Sequence, residues 1–411
     1  EVETARIAIP TIEQAIAQAM ESRVIAKLAM GQAQVGFAIN RRALTAGTWS
    51  GFGEQADGPV DRRVRLLVAR SNDDQIVGAA YMYACHCTTL GGELNRVSGD
   101  WAGLSASRLE QLYAGSVWLP IIGCGADANP HPRGTYELAE LHAAAMVTAI
   151  EGQLTGADRL TPLDAAEPPT AYFGYAGLAS EQPSAELIAE RAASDDPTLK
   201  SWAEIMQRTL QEMGRLPETY PLPIHTWQFG DALTWVFLGG EVVVDYQFQL
   251  EKELPATQTW VAAYCDDVFA YIASERMRAE GGYEVDSSML YYGQPGPWQS
   301  GTQSLIVRRV REIAEDINSD EHPSTADEAL QASRVSEGYH VEQVASEPLV
   351  QDPINLAFGI DGRVWVVEMS DYPLEVKGGG RVKWLRDQDG DGRLDQVQVF
   401  MDELSYPTSV M

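Results

Sequence analysis

The feature that most constrains this 411-residue chain is a break in its patterning. Up to about residue 318, strand-length apolar runs alternate with segments whose apolar residues recur every three or four positions. Across 319–337, Asp, Glu, Ser, His and Pro displace the aliphatic residues, and beyond it only short apolar runs separated by turns remain. Such a chain divides into an α/β (mixed α+β) domain, an acidic linker and an all-β tail, here expected at 1–320, 321–345 and 346–411.

In the first part, Ile12, Ala15, Ile16, Ala19, Val24, Ile25 and Leu28 predict a helix over 11–30. Runs at 64–69 and 76–84, separated by Asn72-Asp73-Asp74, predict a hairpin. Helices are expected at 102–113, 136–153, 185–213 (with a break near Asp195-Asp196-Pro197) and 303–318. Strands are expected at 117–122, 232–237, 241–244 and 259–264. The tail reads as four strands, at 354–358, 364–369, 381–385 and 397–400, a number that suits one propeller blade.

Lys and Arg number 30 against 59 Asp and Glu, a formal charge of −29, which repels phosphate backbones and argues against a nucleic-acid partner. The four cysteines, at 85, 87, 124 and 265, show neither a CxxC pair nor ladder spacing, so the redox compartment stays open. No apolar run approaches the roughly 20 residues of a transmembrane segment. The chain begins with Glu1 and stops within an extended pattern, so a fragment without a signal peptide is expected.

The stretch 81–100 carries the most chemistry. An apolar strand ends in His86-Cys87-Thr88-Thr89-Leu90, and a loop follows that ends Asn95-Arg96-Val97-Ser98-Gly99-Asp100. A histidine closing such a strand suits either a metal ligand or a satisfied core residue. The pattern resembles the second histidine motif of the neutral, non-lysosomal ceramidases. That resemblance covers residues 1 to about 320 and implies one zinc held by two histidines, a glutamate and a tyrosine. It also implies zinc-activated water attacking the amide of an N-acyl sphingoid base or related N-acyl lipid, and an extracytoplasmic location, periplasmic or secreted.

Further segments follow in the family's order. Asn40-Arg41 resembles a pair whose arginine lines the substrate pocket, so Arg41 is expected to bind substrate. Gly239-Gly240-Glu241 after the strand at 231–238 resembles the segment that supplies the zinc carboxylate, which assigns Glu241. Asp266 to Tyr271, then Tyr283-Glu284 and Leu290-Tyr291-Tyr292-Gly293, resemble the family's tyrosine segments. They imply Tyr271 as zinc ligand and oxyanion stabiliser, and Tyr283 over the substrate.

Gly123 to Pro130 resembles the family's Gly-Asp-Val-Ser-Pro-Asn segment but places Asn129 at the serine. An Asn amide can polarise a carbonyl or position a water, so Asn129 is the catalytic candidate there. His131 and His142 are alternative bases or ligands, or a loop and a helix-face histidine. No Thr-His-Thr-His type motif occurs among residues 1–40.

In the tail, Asp387, Asp389, Asp391 and Asp395 take positions 1, 3, 5 and 9 of an EF-hand-like loop, with Gly392 sixth and Gln398 twelfth, which fits Ca²⁺ or an acidic hairpin. From about 346 the tail resembles the first blade of planctomycete-type sugar-dehydrogenase-like propellers. Two other readings stay open: a catalytically inactive ceramidase-like binding module, and part of a longer extracytoplasmic sugar-dehydrogenase-like oxidoreductase.

Overall fold

The computed structural model describes residues 2–156, 160–163, 169–254, 256–315, 330, 340–369, 379–404 and 407–410. The chain forms two compact units, 1–319 and 320–411. The expected linker at 321–345 lies outside the described residues apart from 330 and 340–345.

Two crossovers organise the first unit. Strand Ile76–Tyr83 runs parallel to Val117–Ile122, with helix Asp100–Leu112 between them in the chain. Strand Leu233–Leu238 runs parallel to Gln258–Ala262, with helix Val244–Glu253 between. Parallel neighbours require such a connection, because a tight turn can only return a strand antiparallel. Antiparallel strands extend each pair. One sheet adds Arg63–Arg70, Lys27–Gln34 and Thr161–Pro162 beyond Ile76–Tyr83, and the other adds Thr219–Phe229 and Thr170–Ala179 beyond Leu233–Leu238.

Side-chain alternation gives each sheet two apolar faces. In the first sheet Val64, Leu66, Val68, Tyr81 and Tyr83 pack with Trp101, Leu109, Met146 and Ile150 of helices Asp100–Leu112 and Tyr136–Leu154. Its other face carries Met30 and Met82, which cluster with Phe229, Trp235 and Trp260 of the second sheet. The far face of that sheet, with Leu222, Ile224, Val236 and Val261, packs on Tyr246, Leu250, Ile306 and Val310 of helices Val244–Glu253 and Thr302–Glu315. The order is helix, sheet, sheet, helix. Burying an aromatic side chain removes about 150–250 Å², roughly 4–6 kcal/mol at about 25 cal/mol/Å², so the fully buried Trp101 and Trp118 are major anchors of the first helical layer.

The parallel edges of the two sheets meet. Gly123 bridges Ala262, and the Ala263 amide donates to the Ile122 carbonyl at 3.0 Å. The bridge is antiparallel, so the C-terminal ends of the two parallel pairs meet at one seam, the kind of position at which open α/β sheets place ligands.

Two sequence expectations are corrected. The first helix spans Val2–Glu21 and stops there, because the Ser22 amide and hydroxyl both turn back to the Gln18 carbonyl. Lys27–Gln34 pairs with Arg63–Arg70 instead, while Val24 and Ile25 stay exposed. The strand expected at 241–244 is only Glu241–Val242. A helix starts at Val244, whose amide donates to the Asp127 carboxyl at 3.0 Å, a side-chain acceptor for one of the free amides of the helix N-terminus. The expected break near 195–197 is present: Asp196 caps helix Pro197–Met213, with Pro197 in its first turn.

In the second unit, Pro353–Phe358, Val364–Met369, Gly380–Arg386 and Gln396–Leu404 pair antiparallel in chain order. Among the described residues this is one sheet, not a ring of blades. Glu368 and Lys383 form a buried ion pair within it at 2.8 Å.

Candidate functional site

The loops at the seam carry a compact polar cluster. Beyond Tyr83, the His86 amide donates to the Ala128 carbonyl at 3.0 Å, and the Trp101 indole holds the His86 carbonyl at 2.9 Å. His86 Nδ1 lies 3.0 Å from the Gly125 carbonyl and 3.1 Å from that of Ala128. Carbonyls only accept, so Nδ1 bears a proton and Nε2 is the ring nitrogen turned toward the cluster. Nε2 faces Glu241 Oε2 at 3.2 Å and the Tyr264 hydroxyl at 3.3 Å, and that hydroxyl donates to Glu241 Oε2 at 3.0 Å. Tyr292 donates to the other carboxylate oxygen.

The backbone is zipped to hold this arrangement. The Gly240 amide donates to the Asp267 carbonyl at 2.7 Å, Glu241 to Ala270 at 2.9 Å and Tyr264 to Gly240 at 3.0 Å. Glu241 and Tyr271 are then opposite one another in a short parallel pair. Gly240 has φ 74°, and a Cβ there would stand 2.8 Å from the Ala270 oxygen; at Gly125 it would stand 2.3 Å from the Cys85 nitrogen. Only glycine permits both approaches. Tyr264 has φ 60°, a left-handed conformation that costs a bulky residue on the order of 1–3 kcal/mol and is tolerated where the surroundings over-determine it.

Tyr271 connects this cluster to a buried ion network. Arg41 donates to the Tyr271 hydroxyl at 3.1 Å and to Glu284 at 2.9 Å, while Arg42 also donates to Glu284 and reaches Glu280 at 3.1 Å. The Arg41 guanidinium lies over the rings of Phe52, Tyr271 and Tyr283, 5.0–5.8 Å from their centroids. Tyr283 stands edge-on to Tyr271 and Phe52. Burial opposes the Arg41 charge, but Tyr271 and Glu284 outweigh it and raise its pKa.

Burial would likewise raise the Glu241 carboxyl, yet the hydrogen bonds from His86 and Tyr292 hold it below its usual range. Burial first, and the Glu241 charge second, push the Tyr264 phenol up; in Tyr271 burial outweighs the opposing effect of Arg41.

The donor set fits a zinc ion. A lone pair on Nε2 facing a carboxylate oxygen at 3.2 Å is repulsive unless a proton or cation lies between them. Separations of 3.0–3.3 Å among His86 Nε2, Glu241 Oε2 and the Tyr264 oxygen match the edges of a tetrahedron with bonds of about 2.0 Å. The carbonyls behind Nδ1 are the outer partners that orient a metal-ligating histidine.

His86, Glu241, Tyr271, Arg41 and Tyr283 are thus linked by direct contacts. Asn129 flanks them on a short strand and accepts from Thr88 at 3.3 Å. His131 pairs with Glu54 at the surface, and His142 is buried against Phe37 with Nε2 2.7 Å from the Pro132 carbonyl. Sequence reasoning left four members without a role. Tyr264 ends the apolar run at 259–264 just as His86 ends its own, a signal that was available. Tyr292 and Glu284 stand in segments already quoted, and Asp127, within 123–130, binds Asn40 at 2.9 Å besides the Val244 amide. Burial, then the Asp245 charge, push the Asp127 carboxyl up to about 7.

In the second unit, ligand atoms of Asp387, Asp389 and Asp391 lie within 4.8 Å of one another. The loop's backbone already engages these carboxylates: Asp387 accepts from Gly390 at 2.6 Å and Gly392 at 3.0 Å, and Asp395 from Gln388 at 2.8 Å. The amides facing Asp387 lower its pKa. Among the described residues no helix is long and apolar enough to cross a membrane.

The mixed α/β fold matches solved ceramidase structures. The neutral ceramidase from Pseudomonas aeruginosa superposes with a TM-score of 0.57 at 12% identity, covering 98% of this chain and 71% of that one. A ceramidase complexed with C2 gives a TM-score of 0.52 at 12% identity, covering 83% of this chain and 62% of the other. At that identity the likeness concerns the fold. Residues 325–411 match a family model described as a domain of unknown function, DUF7133. No curated protein matches the chain in sequence.

Proposed function

We propose that the first unit is a zinc-dependent amidohydrolase resembling neutral ceramidase, acting on the amide of N-acyl sphingoid or related N-acyl lipids. The observation that carries this reading is the convergence of His86 Nε2, the Glu241 carboxylate and the half-buried phenols of Tyr264 and Tyr292 on one point at the ends of the two parallel strand pairs. His86, Glu241 and Tyr271 would hold the ion, which when bound supplies Lewis acidity toward an amide carbonyl and a water. Tyr292 keeps the Glu241 carboxylate oriented. Tyr271, opposite Glu241 and bonded by charged Arg41, is positioned to donate toward negative charge developing on the carbonyl oxygen. Arg41 binds substrate, and the Tyr283 and Phe52 rings form an apolar wall beside it. Asn129 would position water or polarise the carbonyl from the flank.

The test is fatty-acid release from a short-chain N-acyl sphingosine. Release that disappears with a chelator, returns with zinc and is absent in His86→Ala is expected. Zinc binding with no release would favour the inactive binding module instead, a reading that Asn129 at the serine position supports.

By the same resemblance we place the protein outside the cytoplasm. The second unit is read as a propeller-type blade whose Asp387, Asp389, Asp391 and Asp395 bind Ca²⁺ structurally, the crowded carboxylates being the reason. Millimolar Ca²⁺ should then raise the unfolding midpoint of this unit, and the shift should vanish in Asp389→Ala/Asp391→Ala; an equal shift in the variant would mean an ordinary acidic turn.

A further inference from the structure

Resting on the zinc reading above, we propose that Tyr264 is itself a ligand of the metal, supplying a second phenol oxygen beside that of Tyr271. The Tyr264 oxygen stands 3.3 Å from His86 Nε2 and 3.0 Å from Glu241 Oε2, which makes it the third corner of the donor triangle. The Tyr271 oxygen is shared between Glu241 and Arg41, whereas that of Tyr264 contacts both His86 and Glu241. Tyr264 is delivered by the strand that runs parallel to the one before Glu241, and its amide is bonded to the Gly240 carbonyl, so the two donors are fixed to one another through the backbone. The left-handed backbone at Tyr264 and again at Asp266 turns the chain sharply as it leaves that strand. A phenol needed only to fill space would not require that conformation.

A structural role predicts something different from ligation. If Tyr264 only orients Glu241, its removal resembles the loss of an outer partner, typically about 10–100-fold in metal affinity, with the metal's own ligands unchanged. Loading the chain with Fe³⁺ separates the cases, because iron-bound phenolate gives a visible charge-transfer band that an outer phenol does not. Tyr264→Phe is expected to weaken zinc binding in a chelator competition by more than about 100-fold and to diminish the Fe³⁺ band. The double variant Tyr271→Phe/Tyr292→Phe, which leaves Tyr264 as the phenol still hydrogen-bonded to Glu241, is expected to retain a band and so reports on Tyr264 even if Tyr264→Phe folds poorly. An undiminished band in a folded Tyr264→Phe, or a colourless double variant that still binds iron, overturns the proposal while leaving the zinc reading intact. Failure of the wild type to bind either metal overturns both.

Discussion

Replacing Glu284 by Ala is expected to destabilise the first unit by about 3–5 kcal/mol, the usual consequence of stripping the counter-charge from a buried ion pair. Glu284 has no exposed surface, and both of its oxygens are engaged, one by Arg41 at 2.9 Å and the other by Arg42, which is itself 1% exposed. Without the carboxylate, two guanidiniums that are almost entirely shielded from water lose their shared counter-charge. Arg42 keeps Glu280 at 3.1 Å and the Gly281 carbonyl at 2.7 Å, but Arg41 keeps only the Tyr271 phenol and the aromatic faces around it. Glu280→Ala serves as the contrast, since Arg42 then retains Glu284, and it should cost distinctly less. Glu284 lies in a π-helical turn, Tyr283–Ser287, a rare geometry that is enriched at functional sites. Urea unfolding followed by tryptophan fluorescence measures both variants. A loss below about 1 kcal/mol for Glu284→Ala would mean that the network behaves like an exposed ion pair.

The ion network also shows where the sequence stops being informative. Arg41 and Glu284 are 243 positions apart, and no periodicity relates them. Strand Ala38–Thr45 carries two adjacent buried arginines and therefore reads as polar, so it has no apolar alternation to find. Helix Val244–Glu253 was hidden by its β-branched start and by Gln247, a buried polar residue whose side chain serves Thr259 and Val261 of the neighbouring strand. The sheet Thr170–Ala179 with Thr219–Phe229 is interrupted by prolines and glycines that ordinarily punctuate turns, and long antiparallel pairing overrides them.

By contrast, Val117–Ile122 was legible because it is short, apolar and bounded by turns, and helix Tyr136–Leu154 because its apolar stripe is regular. At the site, pattern alone marked His86 as a strand-ending histidine, while Glu241, Tyr271, Arg41 and Tyr283 came from resemblance. What the fold adds is the mutual placement of these groups, together with Tyr264, Tyr292, Glu284 and Asp127, whose roles depend on partners distant in the chain.

The second large effect concerns the metal. His86 contributes the sole nitrogen donor of the cluster, and its ring is fixed by two carbonyls behind Nδ1, so little reorganisation accompanies binding. His86→Ala removes that donor outright, and the expected loss of zinc affinity exceeds the about 10–100-fold typical of outer partners. The fold should persist, because the strand ends in this segment are held by backbone bonds and by Trp101 rather than by the imidazole.

Zinc titration of the 411-residue chain, with stoichiometry read by elemental analysis and affinity by chelator competition, tests the central claim most directly. One zinc per chain, lost together in His86→Ala and Glu241→Ala while both variants remain folded, is the predicted result. A chain that stays metal-free, or that holds zinc equally well without His86 and without Glu241, would contradict it.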